Sequence, residues 1–255
     1  MENPKIIITT QARLGSTRFP GKILEKIGKL TLLELHLKRI KKTKLFSDII
    51  IATTNEQGIA AIEQIALNEN IGIFKGSTED VLDRFYQGVK NQRPDYIVRL
   101  TSDCPLIDPI LIDEVIKLAI DHNLDYASNT LSELFPDGQD IEVFSWKALE
   151  TAWKEATLPS EREHVTPYIR KHCDFNGGII FKAMNYGSKE NYSHIRMTVD
   201  ELNDLDAIKI LVDKLDTDND WKTYADFIID NPELFNNQQI IRNEGYLKSI
   251  KKENH

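Results

Sequence analysis

Residues 5–24 read KIIITTQARLGSTRFPGKIL, and the rest of the chain is read outward from them. A β-branched run at 6–10 has the character of a buried parallel strand. It ends in a loop holding Arg13, Ser16, Thr17, Arg18 and Lys22, punctuated by Gly15, Pro20 and Gly21. A cation- and hydroxyl-rich loop directly after a strand suits a phosphate chain. Backbone N–H groups and cations converge on anionic oxygens, and glycine lets the backbone come close. The competing reading is an exposed connection that happens to be basic.

The chain as a whole is not basic. Its 255 residues carry 32 Lys+Arg against 40 Asp+Glu, a net charge of −8. Such a balance argues against non-specific nucleic-acid or membrane binding, so cations gathered in one loop need a local reason. The length suits one large α/β domain with a small appendage. Cys104 and Cys173 share no close spacing, so neither a zinc site nor a disulfide framework is expected. No apolar run reaches the ~18 residues that span a bilayer. The start, MENPKIII, lacks the shape of a signal peptide. The expectation is a cytoplasmic protein without a membrane segment.

Strand and helix patterns alternate after the opening loop. Helices are expected at 31–40, 57–70, 77–90 and 108–121, with Ser77 capping the third and Asp108 the fourth. Strands are expected at 48–53, 71–74 and 95–100. This rhythm implies a mostly parallel sheet with helices on both faces. Ligands of such sheets sit beyond the carboxyl ends of the strands, where both the opening loop and the segment after Leu100 lie. Beyond about 122 the rhythm changes. Strands are expected at 125–129, 140–145, 177–181 and 195–199. Helices are expected at 146–156, 160–169, 201–215 and 220–231, and a polar end is expected to fray.

Three further stretches hold chemistry. In VRLTSDCPLIDP (98–109), Asp103 just past a strand end is placed to hold a divalent cation or a ribose hydroxyl; the plainer reading is a turn or helix cap. In HIRMTVDELND (194–204), Asp200 is a second carboxylate at a strand end, and again a helix cap is the alternative. The third stretch combines PDGQDIEV (136–143) with SEREH (160–164), clustering Asp137, Asp140, Glu142, Arg162, Glu163 and His164. There Arg162 suits a two-pronged carboxylate contact, and His164 suits orienting a hydroxyl or acting as a base. A solvated helix face explains Arg162 and Glu163 equally well.

Taken together, these stretches resemble a family. QARLGSTRFPGKIL, GSTEDVLDRFYQ, VRLTSDCPLIDP, FPDGQDIEVFS, LPSEREHVTPYI and RMTVDELND, spread over residues 5–215, are similar to the cytidylyltransferases that activate acidic sugars as CMP conjugates. The resemblance is strongest to the spore coat polysaccharide biosynthesis protein F group. It implies a nucleotidyltransferase sheet of the glycosyltransferase A kind, Rossmann-like, in a domain over 1–230. A subregion at 130–170 would shape the acceptor pocket and dimer contact, and 231–255 would be a tail.

The resemblance also implies residue roles. The nucleotide, CTP, falls to Gln11, Ala12, Arg13, Leu14, Gly15, Ser16, Lys22, Thr101 and Ser102. Catalysis falls to Arg13, Lys22 and Asp103, with Mg²⁺ on Asp103 and Asp200. The acidic sugar falls to Asp137, Gln139, Asp140, Glu142, Arg162 and His164, in a homodimer. Kdo-activating enzymes carry a Gln-Gly-Asp-x-Pro-like stretch where this chain has Thr101-Ser102-Asp103-Cys104-Pro105, so the aspartate and proline match and their neighbours differ. Other readings stay open: a nucleotidyltransferase using another NTP or a non-sugar acceptor, a non-catalytic nucleotide-sugar binder, or a glycosyltransferase. The last would look for Asp-x-Asp, where the chain has Ser102-Asp103-Cys104.

Overall fold

The computed structural model describes residues 4–16, 18–239, 242 and 244–253; Thr17 lies outside the described residues. The strands are β1 (Ile6–Gln11), β2 (Lys26–Ile27), β3 (Leu30–Thr31), β4 (Asp48–Thr54), β5 (Gly72–Gly76), β6 (Tyr96–Thr101), β7 (Tyr126–Ser128), β8 (Glu142–Ser145) and β9 (Ala183–Asn185). The helices are α1 (Leu32–Ile40), α2 (Ala60–Asn68), α3 (Val81–Val89), α4 (Pro109–Asp121), α5 (Trp146–Glu155), α6 (Pro159–His164), α7 (Pro167–His172), α8 (Leu202–Leu215), α9 (Trp221–Asp230) and α10 (Glu244–Glu253).

Seven strands form the main sheet in the order β5-β4-β1-β6-β8-β7-β9. β5, β4, β1 and β6 lie parallel, β8 runs against both β6 and β7, and β7 is parallel to β9. Both faces are covered, as the continuous apolar runs require. Ile6, Ile8, Ile49, Ile51, Val98 and Leu100 pack into one core with α1, α2, α4, α8 and α9. Their neighbours Ile7, Ile50 and Ile97 pack into a second core with α3, α5 and α7. Each such side chain fully buried contributes ~1.5–3 kcal/mol, so a one-residue slip of any central strand would misplace apolar groups on both faces.

Local chemistry sets the helix ends. Thr31 and Glu34 bond reciprocally across the first turn of α1. Asp108 caps α4 as expected, its Oδ1 accepting from the Ile110 N–H at 2.8 Å, with Pro109 opening the helix. Ser77 is not the cap of α3. Its Oγ accepts from the Asp80 N–H in the preceding turn, and Asp80 accepts from the Asp83 N–H at 2.9 Å, so the helix starts at Val81.

Other boundaries also differ from the sequence reading. The helix expected at 160–169 is two, α6 and α7. Val165 between them takes φ 73°, a strained conformation for a β-branched residue, and Pro167 has no N–H to continue the ladder. The strand expected at 177–181 is replaced by a turn at Gly177, φ 82°, and β9 follows it. Residues 195–199 are not a sheet strand. A single parallel bridge, Asp137 to Arg196, ties them down. The polar end does not fray as far as residue 253: it forms α10, which packs on α6.

Candidate active site

β1 and β6 are neighbours, and their last residues, Gln11 and Thr101, pair in register. The loops leaving them therefore start side by side. The Val199 N–H donates to the Asp103 carbonyl at 2.8 Å, which brings the 195–200 segment to the same edge. Lys22 reaches in from the opening loop. Gly21 at φ 72° turns the chain there, and its N–H donates to the Leu14 carbonyl at 2.9 Å.

These backbone links converge on one ammonium group. Lys22 Nζ donates to Asp103 Oδ2 at 3.0 Å, to Asp200 Oδ1 at 3.0 Å and to the Val199 carbonyl at 2.6 Å. Burial disfavours the Lys22 charge, but Asp103 and Asp200 outweigh it and raise the pKa above the ordinary value. Burial likewise opposes ionisation of Asp103. The Lys22 charge and hydrogen bonds from Lys22 and Thr101 prevail and hold its pKa at about 2. At neutral pH the pair is ionised.

The helix-cap alternatives are resolved by neighbouring carboxylates. Asp108, not Asp103, caps α4. At α8 the N-cap is Glu201, and Asp204 in the first turn, wholly buried, reaches back with Oδ2 to accept from the backbone N–H groups of Asp200 and Glu201 at 2.8 and 3.0 Å. That leaves the Asp200 side chain for cations: Lys22, Arg18 at 2.9 Å and Arg196 at 3.1 Å. Arg196, itself buried, spans Asp200, Asp204 and, at 2.7 Å, Asp137.

Two cavities meet here. One, about 860 Å³, is bordered by Gln11, Ala12, Arg13, Ser16, Lys22 and Arg84, with Thr101, Ser102, Asp103 and Asp200. Arg13 makes no ion pair among the described residues, so its charge is uncommitted. The other cavity, about 530 Å³, is bordered by Asp137, Asp140, Glu142, His164, Arg99, Arg170 and Arg242. Arg18, Asp103 and Asp200 border both. A third space, about 540 Å³, continues the first past Arg13 and Arg84 toward Thr78.

Some residues expected at the site are elsewhere. Leu14 and Gly15 shape the loop rather than border the cavities; the Leu14 carbonyl holds the N–H groups of Ser16 and Gly21. Gln139 is wholly buried, accepting from the Asp108 N–H at 2.9 Å and donating to the Leu106 carbonyl at 3.0 Å. It braces the loop before α4 and does not reach the second cavity. Arg162 is spent on Asp80, with Nε 3.0 Å from Oδ2, and on the Trp153 carbonyl. It locks α6 to α3 and borders only the third space, because Asp80 at the helix start neutralises it.

The remaining acceptor candidates do face the second cavity. Glu142 is buried and ionised; burial opposes its charge, but Arg99 at 2.5 Å, Arg170, Thr166 and Tyr126 hold it. Asp137 behaves oppositely. Burial and Asp140 push its pKa up to about 7 despite Arg242 and Arg196.

The C-terminal segment forms the outer wall. Glu244 pairs with Arg18 at 3.4 Å, Ser249 lies 3.2 Å from His164, and Arg242 pairs with Asp140. Glu253 accepts from both the backbone N–H and the hydroxyl of Ser160. These charged and capping contacts explain why the polar end is ordered rather than frayed.

Arg18 was read among the cations of the opening loop, but residue types alone did not single out Arg84, Arg99, Arg170, Arg196 and Arg242. Two left a trace in the pattern. Arg84 interrupts the apolar face Val81, Leu82, Phe85, Val89, and Arg196 alternates with Ile195, Met197 and Val199.

A mostly parallel sheet whose opening loop aims cations at two carboxylates, where a larger cavity meets a smaller one, is an arrangement suited to nucleotidyl transfer. The cytidylyltransferase family profile matches residues 6–236, and the chain belongs to that family. It is 38% identical over 243 residues to an uncharacterized protein of Methanocaldococcus jannaschii, covering 95% of this chain and 98% of that one. It is 30% identical over 215 residues to the spore coat polysaccharide biosynthesis protein SpsF of Bacillus subtilis, covering 82% and 87%. Among solved structures it is similar to a cytidylyltransferase from Leptospira borgpetersenii, at TM-score 0.86 and 33% identity over 94% of this chain and all (100%) of that one. The chain is thus a CTP-dependent nucleotidyltransferase.

Proposed function

We propose that the chain transfers CMP from CTP to a hydroxyl of an acidic sugar, a ulosonic or nonulosonic acid, releasing pyrophosphate and supplying an activated sugar for a surface polysaccharide or glycan. One observation carries the reading. Lys22, Asp103 and Asp200 are joined where the two cavities meet, so a nucleotide in one and an acceptor in the other would touch at that point.

Mg²⁺ fits the donor set. Among the described residues no group of three or more His, Cys, Asp or Glu could cage a metal. Two hard carboxylates beside a phosphate site are what Mg²⁺ uses, its other positions going to phosphate and water oxygens. Asp103 and Asp200 would hold it; Asp200, now shared by Lys22, Arg18 and Arg196, would do so by yielding one of those cations. When bound, the ion supplies charge neutralisation at the phosphate and lowers the proton affinity of the attacking hydroxyl.

The chain supplies the rest. Arg13, Arg18 and Lys22 orient the triphosphate and stabilise charge on the departing pyrophosphate. Arg170 takes the acceptor carboxylate in place of Arg162. Its guanidinium borders the second cavity, with one N–H given to the Thr130 carbonyl at 3.0 Å. Asp137 is the carboxylate of that cavity able to accept a proton near neutral pH.

The proposal includes a cytoplasmic homodimer with contacts in 130–170. Two buried free thiols suit a reducing compartment, and no helix among the described residues is long and apolar enough to cross a membrane. The test is a pyrophosphate-release screen with CTP, Mg²⁺ and a panel of ulosonic and nonulosonic acids. Turnover with a member of the panel is expected; turnover only with neutral acceptors overturns the acidic-sugar assignment.

A further inference from the structure

The last helix, α10, begins beyond residue 236, where the match to the family profile ends. It nevertheless forms part of the outer wall of both cavities. Glu244 and Gly245 border the two of them, Ser249 borders the first and Tyr246 the second. None of the described side chains of α10 is buried, and Leu247 is 47% exposed, so no apolar face anchors the helix. Its grip on α6 is mostly polar. Ser249 Oγ donates to Glu163 at 2.9 Å, the Ser160 hydroxyl donates to Glu253 at 2.8 Å, and Tyr246 meets the His164 ring edge-on, with centroids 5.1 Å apart. Partly exposed polar contacts hold weakly, and elements with few buried apolar contacts are the first to open.

Glu244 reaches past α6 to the opening loop, where its Oε2 lies 3.4 Å from NH1 of Arg18. The other terminal nitrogen of Arg18 stands 2.9 Å from Asp200. Two carboxylates thus divide a guanidinium that borders both cavities and is placed for a phosphate. The Glu244 pair is the weaker of the two, long and with its side chains 32% and 37% exposed. A phosphate forms shorter charge-assisted bonds and displaces it. Glu244 then faces the phosphate as a like charge, which drives α10 outward. We infer that α10 is an autoinhibitory strap: Glu244 holds Arg18 in the place of a substrate phosphate, and nucleotide binding lifts α10 off α6. This rests on the nucleotidyl-transfer reading, which puts phosphate on Arg18.

The coupling is reciprocal. If nucleotide favours the open strap, whatever opens the strap tightens the nucleotide by the same factor. The two ends of α10 therefore act on the site in different ways. Glu244 competes directly for Arg18. Ser160 carries no charge and borders neither cavity, so it acts only by holding α10 closed through its bond to Glu253.

Hydrogen exchange and calorimetric titration with CTP and Mg²⁺ test this without any acceptor. In the unaltered protein, saturating CTP should quicken exchange in α10 while β1 and β6 become better protected. Glu244→Gln should bind CTP about threefold more tightly, the scale of a partly exposed ion pair. Its α10 should exchange fast even without nucleotide. Ser160→Ala should tighten CTP in the same direction by a smaller factor, with thermal melting as control for the fold. Slower or unchanged exchange in α10 on CTP binding overturns the strap and leaves nucleotidyl transfer standing. So does a gain in Glu244→Gln that Ser160→Ala does not share, since that reports the lost charge alone. Failure of the unaltered protein to bind CTP at all overturns the underlying reading, and the strap with it.

Discussion

Lys22 Nζ and Asp103 Oδ2 stand 3.0 Å apart, and the same nitrogen stands 3.0 Å from Asp200 Oδ1. One cation thus holds together carboxylates that arrive from sequence positions nearly a hundred residues apart. Removing it should act on the reaction more than on the fold. Lys22→Ala is expected to lower kcat by ~10²–10³, the usual scale for a lost electrostatic contact to a developing charge. Pyrophosphate release at saturating CTP measures it; a rate near that of the unaltered enzyme contradicts the role.

Gln139 and Arg162 should behave as structural residues. Gln139→Leu leaves the Asp108 N–H and the Leu106 carbonyl buried without their partners, at a cost of ~1–3 kcal/mol in urea denaturation. Arg162→Met unpairs Asp80, which is partly exposed, so its cost should be smaller. In neither variant should the KM for the acceptor change by more than about twofold, against the ~1.4 kcal/mol that a tenfold change represents. A KM rise of that size in Arg162→Met would return the carboxylate contact to Arg162.

The contrast between these residues shows how far the sequence can be read. The parallel core was legible because β-branched runs alternate with amphipathic helices, and residue 108 announced its cap through the proline that follows. Asp103 and Lys22 were legible because each lies just past a strand end or in the loop beside it, whereas Asp200, expected at the end of a strand over 195–199, reaches the site on a non-sheet segment tied to Asp137 and to the Asp103 carbonyl. Gln139 and Arg162 were misread because nothing local distinguishes an amide facing a cavity from one facing backbone, or an arginine awaiting a ligand from one already paired with Asp80. The same holds for α10. Its acidic and hydroxyl residues look solvated in sequence, and their partners Arg18, Ser160 and His164 are supplied only by folding.

Asp137 gives the fold a definite pH dependence. Its folded pKa is raised to about 7 from an ordinary 3.8, so between those values the folded state binds more protons than the unfolded one. Stability from this group is therefore present at low pH and is lost as pH rises from ~4 to ~7. Asp137→Asn should remove that falling component. The difference in unfolding free energy between variant and unaltered protein, followed across this range, should grow in the variant's favour with pH. A difference independent of pH contradicts the assignment.

Glu253 fixes the outer wall by accepting from the backbone and hydroxyl of Ser160 at the start of α6. Glu253→Ala should cost about 1 kcal/mol locally, as losses of capping contacts do. Hydrogen exchange should then quicken in α10 while β1 and β6 stay protected. Unchanged protection of α10 would mean the helix is held by other contacts.

The central claim is that the junction of the two cavities joins a cytidylyl group to an acidic sugar. Following the α-phosphate of labelled CTP tests it most directly, in the unaltered enzyme and in Asp103→Asn. The account predicts that label moves onto the sugar acid only when that acid is present, with one pyrophosphate released per conjugate, and that Asp103→Asn abolishes the transfer. Pyrophosphate released without acceptor, or label transferred equally well by Asp103→Asn, would contradict it.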